Sequence, residues 1–204
     1  MSQAAVAEHH LGVEPAESPL TPESWGKLGM WVFLAADAMS FGGLLAGYGA
    51  LRYYSPDWPN PKQHFGINMT AGMTFLLIVS SFTMVKALSA SRHGNIGKMK
   101  LFLLVTMLCG ATFLGLQAYE WTHLIEEGLT LQGNPWGSKL FGTTFFILTG
   151  FHGCHVLSGV IYLLITLLMA GRGSWGYTQV EITGLYWHFV DLIWILVFTF
   201  IYLI

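Results

Sequence analysis

Residues 140–170 read LFGTTFFILTGFHGCHVLSGVIYLLITLLMA, thirty-one residues without one Asp, Glu, Lys or Arg. A helix needs about 20 apolar residues to cross the hydrocarbon core of a bilayer, and this run exceeds that. Four similar runs accompany it, from about Lys27 to Leu51, Ile67 to Ala90, Leu101 to Leu124 and Ile182 to Ile204. None alternates apolar and polar residues with the period of two that a barrel strand requires. A helix, in contrast, satisfies its own backbone hydrogen bonds in lipid. The sequence therefore predicts an all-α integral membrane bundle of five transmembrane helices.

Composition points the same way. Of 204 residues 53% are hydrophobic and only 10% charged, against about 25% charged in a soluble domain. A formal net charge of −2, with basic residues scattered singly, points to no nucleic-acid partner. Cys109 and Cys154 both sit inside apolar runs, which argues against a disulfide framework. Residues 1–24, rich in Glu, Pro, Ser and Ala, read as a mobile polar tail ahead of a transmembrane domain at 25–204. Turn chemistry separates the spans: SPDWPNPKQ at 55–63, SRHGNIGK at 91–98, GLTLQGNPWG at 128–137 and GRGSWG at 171–176. Lys27, Lys86, Arg92, Lys98, Lys100 and Arg172 fall on one side of such a bundle, and Arg52, Lys62 and Lys139 on the other. Six against three favours an N-in, C-out orientation.

Small residues predict where helices touch. Gly43 and Gly47 in the first span, and Gly150 and Gly153 in the fourth, suit close backbone approach and are expected to pack within the bundle. Tyr119, Trp121, Trp175, Tyr177, Tyr186 and Trp187 fit an interfacial aromatic belt.

Ionisable groups at membrane depth are costly and face protein or water, so they locate the candidate site. Asp37 lies about ten residues, or roughly 15 Å, into the first span and Asp191 at a similar depth in the fifth. His152 and His155 occupy the middle of the fourth, and His188 stands one turn from Asp191. Residues three apart share a helix face, so His152 is matched with His155 and His188 with Asp191. Glu181 extends the latter face to the membrane edge, and Glu120 approaches the far end of the third span. Asp37 is expected within hydrogen-bond reach of the fourth-span histidines. Three readings compete for this band: a network that ties helices together, a proton-handling site, and a metal or haem site. GFHGCHV lacks the second ligand pair of a zinc site, and there is no C-x-x-C-H for covalent haem. A bis-histidine haem b between His188 and a fourth-span histidine stays conceivable.

GTTFFILTGFHGCHVLSGVIYL (142–163), followed by Glu181 and YWHFVDLIWILVFTFIYL (186–203), resembles subunit III of the haem–copper terminal oxidases. LQAYEW (116–121) and GMWVFLAADAMSFGG (29–43) extend the resemblance over about residues 25–204. Family members often have seven spans; this chain is similar to the five-helix bacterial form that begins at the third. Many members carry a buried Glu where this chain has Asp37, a substitution that resembles the quinol-oxidase type, and Lys86 and Ala87 replace a histidine pair of the mitochondrial type.

The resemblance implies an accessory, non-redox subunit of a proton-pumping oxidase that reduces dioxygen to water in the bacterial inner membrane. Such a subunit packs on catalytic subunit I alongside subunit II, binds phospholipid, and supports proton uptake and stability. It implies no catalytic residue and no cofactor in this chain, with haem and copper in partner subunits. Asp37, Glu120, His152, His155, Glu181, His188 and Asp191 become the family's polar positions. The electron donor, cytochrome c or quinol, docks on other subunits and leaves no mark here. Two alternatives remain: a haem b membrane anchor, and an accessory subunit of a nitric-oxide reductase.

Overall fold

The computed structural model describes residues 24–61, 65–173 and 175–204. The tail expected over 1–24 lies outside these except for its last residue, Ser24. Among the described residues five long helices follow: α1 Trp25–Tyr54, α2 Ile67–Arg92, α3 Ile96–Glu126, α4 Lys139–Gly171 and α5 Tyr177–Val197. A π-helical segment, Phe198–Leu203, continues α5. All five are long and apolar enough to cross a membrane, and no strand occurs among the described residues.

Local chemistry sets the ends. Ser24 caps α1 by accepting from the Lys27 amide, and Asn95 caps α3 by accepting from the Lys98 amide. Between α2 and α3 only three residues turn the chain. Gly94 takes φ +68° there, a conformation glycine adopts without a Cβ penalty. At the other end of the bundle the Ser138 amide donates to the Asp57 carbonyl at 2.9 Å. Gly137, at φ +150°, lies so close that a Cβ would strike that carbonyl.

α5 is the central element. It packs on α1, α2 and α4, while α2, α3 and α4 pack in sequence around it. Half of its most apolar stretch (50%) is buried, against 17% for α1, which leans on α4 and α5 at the margin. Lys27, Arg92, Lys98, Lys100 and Arg172 gather at one end of the bundle, called the basic end below.

Two expectations are corrected by the packing. Tyr186 and Trp187 are core residues rather than belt anchors, with Trp187 wholly buried. The indole slots between α3 and α4 because Gly110 and Gly159 leave room for it, and its Nε1 donates to Ser80 Oγ at 2.9 Å. Gly43 and Gly47 do not pack within the bundle: nothing lies within 4 Å of where a Cβ would stand on either. Their side of α1 faces outward. Gly150 and Gly153 do pack, under Trp121 and Gln117 of α3 respectively.

Candidate functional site

The polar groups of the predicted band divide into separate seams. The first joins α1 to α4. Asp37 Oδ2 lies 3.0 Å from His155 Nε2, and both residues are nearly buried. His155 Nδ1 is 2.8 Å from the Phe151 carbonyl, which can only accept, so Nδ1 carries a proton. Nε2 faces the Asp37 carboxyl across that short distance, although the contact is not a well-aligned hydrogen bond. Helical spacing brings Phe151 and His155 onto the same face, and Phe41 closes it from α1 with its ring 5.2 Å from the imidazole.

His152 does not join that pair. Three residues on a helix turn the side chain by about 60°, enough here to send His152 toward α3 and α5 while His155 faces α1. His152 is fully buried among aromatic rings: Phe113 at 5.8 Å, Trp194 at 5.0 Å and Phe41 at 6.4 Å. Neither ring nitrogen has a hydrogen-bond partner among the described residues.

The second seam lies between α5 and α2. His188 Nδ1 is 2.6 Å from Ser81 Oγ. Asp191 is buried beside Ser80 and Ser81, and its oxygens take no well-aligned hydrogen bond. His188 and Asp191 thus share a face, but that face looks toward α2, away from Asp37 and His155. His152 and His188 do not oppose each other across a haem-sized gap. One is walled in by aromatics and the other is turned to Ser81. Among the described residues no group of three or more His, Cys, Asp or Glu is placed to hold a metal.

Glu120 makes the third tie. Its carboxylate accepts from Thr70 on α2 at 3.1 Å and from Tyr202 at 3.0 Å, joining α3 to α2 and to the chain end. The π-helical segment buries Ile201 and Tyr202 together, which puts the Tyr202 hydroxyl inside. Glu181 pairs with Lys27 at 2.7 Å and clasps α1 to α5 at the basic end.

Several ties were not singled out from the sequence. Gln117 donates to the Thr149 carbonyl at 2.7 Å, and threonine pairs join Thr83 to Thr106 and Thr166 to Thr183, each at 2.8 Å. Lone threonines in apolar spans give no sequence signal beyond being polar. Pairing them requires knowing which helices are neighbours.

The chain matches the family described as cytochrome c oxidase subunit III over residues 26–204. It is 34% identical over 200 residues to quinol oxidase subunit 3 of Bacillus subtilis, covering 97% of this chain and 96% of that protein. It is 37% identical over 180 residues to cytochrome c oxidase subunit 3 of the same species, covering 86% and 84%. Cytochrome c oxidase subunit 3 of Corynebacterium diphtheriae is 32% identical over 206 residues, covering 98% of each.

Proposed function

The chain belongs to the cytochrome c oxidase subunit III family, and from that premise we propose that it is the accessory, non-redox subunit III of a proton-pumping terminal oxidase. In this reading it lies in a bacterial inner membrane with its N-terminus inside and packs on the catalytic subunit. There it binds phospholipid and supports proton uptake and durability while the partner subunits, with their haem and copper, reduce dioxygen to water.

One structural observation carries the reading. Several polar groups of the membrane interior meet partners on neighbouring helices: Asp37 beside His155, Glu120 with Thr70 and Tyr202, and Thr83 with Thr106. Groups used this way fix helix positions, which suits a scaffold. The Asp37–His155 contact, a carboxyl and an imidazole 3.0 Å apart, is where support of proton uptake would fall in this reading.

Affinity purification of the tagged chain from its native membrane tests this. The expected result is a haem–copper subunit in the eluate and no visible absorbance in the chain isolated from it. A Soret band in the isolated chain, lost in His188→Ala, would replace the reading with a haem b anchor. Co-purification with a nitric-oxide reductase in place of an oxidase would move it to that complex.

A further inference from the structure

One polar group on the surface of this bundle is unexplained by the ties above. His188 stands eleven residues into α5, about 17 Å along its axis and so deep within the span. Only Nδ1 is engaged, with Ser81. Nε2 is not enclosed by the bundle and has no partner among the described residues. Around it the surface is apolar: Ile78 and Val85 flank Ser81 on α2, and Leu185 and Leu192 flank His188 on α5.

Other outward polar groups at this depth resolve themselves. Ser40, Thr112 and Thr199 return their hydroxyls to carbonyls of their own helices, at 3.2, 2.8 and 2.7 Å. Lys86 lies over the Phe82 ring at 5.2 Å, and a flexible stem lets such a cation reach the membrane edge. An imidazole has neither escape. Its Nε2 cannot reach a carbonyl of its own helix while Nδ1 faces Ser81, and the ring is too short to leave the hydrocarbon. Ionisable side chains at membrane depth face protein or a water-filled cavity.

We infer that the α2–α5 face is a docking surface for a transmembrane helix of a partner subunit, which meets His188 Nε2 with a hydrogen-bonding group deep in the bilayer. This rests on the reading that the chain works within an oxidase complex. An acyl chain would leave Nε2 unpaired, and a lipid headgroup does not reach this depth. The face continues along α2 and α5 beyond His188. Toward the basic end it opens into a groove of about 460 Å³ lined by Val85, Leu88, Ser89, Arg92, His93 and Tyr177.

A photoactivatable benzoylphenylalanine at Leu192, in the chain expressed with its complex, tests the face directly. The adduct is expected to be another membrane subunit, several-fold more abundant than any protein adduct from the same probe at Leu108 on the outer side of α3. Lipid-only adducts at Leu192, in a preparation that retains the haem–copper subunit, would overturn the docking face and leave the functional reading intact. A protein adduct at Leu192 in a preparation lacking any haem–copper subunit would uphold the face and overturn that reading.

The hydrogen bond has its own test. His188→Leu should lower retention of the chain through detergent washing by about three- to fifteenfold, the range for one interhelical hydrogen bond in a membrane. His188→Gln, which keeps a polar atom near Nε2, should recover most of that loss. Ser81→Ala, which removes only the internal bond, should be retained like the unaltered chain. Equal retention of His188→Leu and the unaltered chain would overturn the hydrogen bond.

Discussion

Gly110→Ala adds one methyl group where three helices meet. The new Cβ on α3 would collide with Trp187 Cη2 of α5, and would stand 2.8 Å from Val160 Cγ2 of α4 and 3.2 Å from Trp187 Cζ2. Carbon atoms in contact prefer about 3.5–4.0 Å. The indole has nowhere to retreat. It is fully buried, its Nε1 is bound to Ser80, and a Cβ on Gly159 would stand 2.9 Å from the neighbouring ring atom Cζ3. Overpacking a rigid core costs about 1–3 kcal/mol, and Ala returns about 0.8–1 kcal/mol of helix propensity over Gly. Because the colliding atom belongs to a pinned ring, the upper part of the range applies, and the net loss is about 1–2 kcal/mol.

Gly43→Ala is the matched control, since its Cβ would meet nothing within 4 Å and only the propensity gain remains. The two variants should differ by about 2–3 kcal/mol, a factor of roughly 30–150 in the folding equilibrium. Equilibrium unfolding with dodecyl sulfate in mixed micelles, followed by tryptophan fluorescence, reads this difference. The cause is checked by repeating Gly110→Ala in a Trp187→Phe background, where the shorter ring vacates the contested space. The penalty should then shrink by more than half, a coupling that a double-mutant cycle isolates. Equal midpoints for Gly110→Ala and Gly43→Ala, or additive effects in the cycle, would refute the packing of Trp187 described above.

The same titration reads the other ties. Asp37→Asn can still donate to His155 Nε2 and should cost under about 1 kcal/mol, whereas Asp37→Leu leaves that nitrogen unpaired and should cost about 1–2 kcal/mol. Glu120→Leu strands the buried Tyr202 hydroxyl and should cost about 1–3 kcal/mol. Glu120→Gln keeps an acceptor and should lose less than half as much; equal losses would mean that the hydroxyls do not depend on this carboxylate. Lys27→Ala should cost no more than about 1 kcal/mol because the pair is partly solvated. Combining Lys27→Glu with Glu181→Lys should restore what either alone loses.

How much of this was legible in the sequence depends on the solvent each residue meets. All five spans were, because length and apolarity are sufficient to cross a bilayer. Their ends run past the apolar stretches: α3 begins at Ile96 rather than Leu101 and α5 at Tyr177 rather than Ile182. Helices continue through Lys98, Lys100 and Gln179 at the membrane edge, where polarity is no obstacle to helix formation. Which face meets which neighbour was not legible. A soluble helix marks its buried side with an apolar stripe, but a helix in lipid is apolar all round. Gly43 and Gly47 therefore looked like Gly150 and Gly153. Trp187 looked like a belt residue because the glycines that make its slot lie on two other helices.

The polar band was legible as a set of residues but not as an arrangement. At membrane depth Asp37, His152, His155, His188 and Asp191 looked like one site, and α5 divides them. Trp187 and Trp194 project from α5 into the core, both wholly buried, with Trp194 tilted against His152 at 5.0 Å and Trp187 bound to Ser80. No hydrogen bond among the described residues links the Asp37–His155 pair to His188 or Asp191. Among the described residues the two are separate contacts, one between α1 and α4 and the other between α5 and α2. The Asp37–His155 pair lies between α1 and α4 on the buried face of α1, and His188 lies against α2. That division follows from two tryptophans on one helix, whose buried rings fill the space between the α1–α4 seam and the α2–α5 seam.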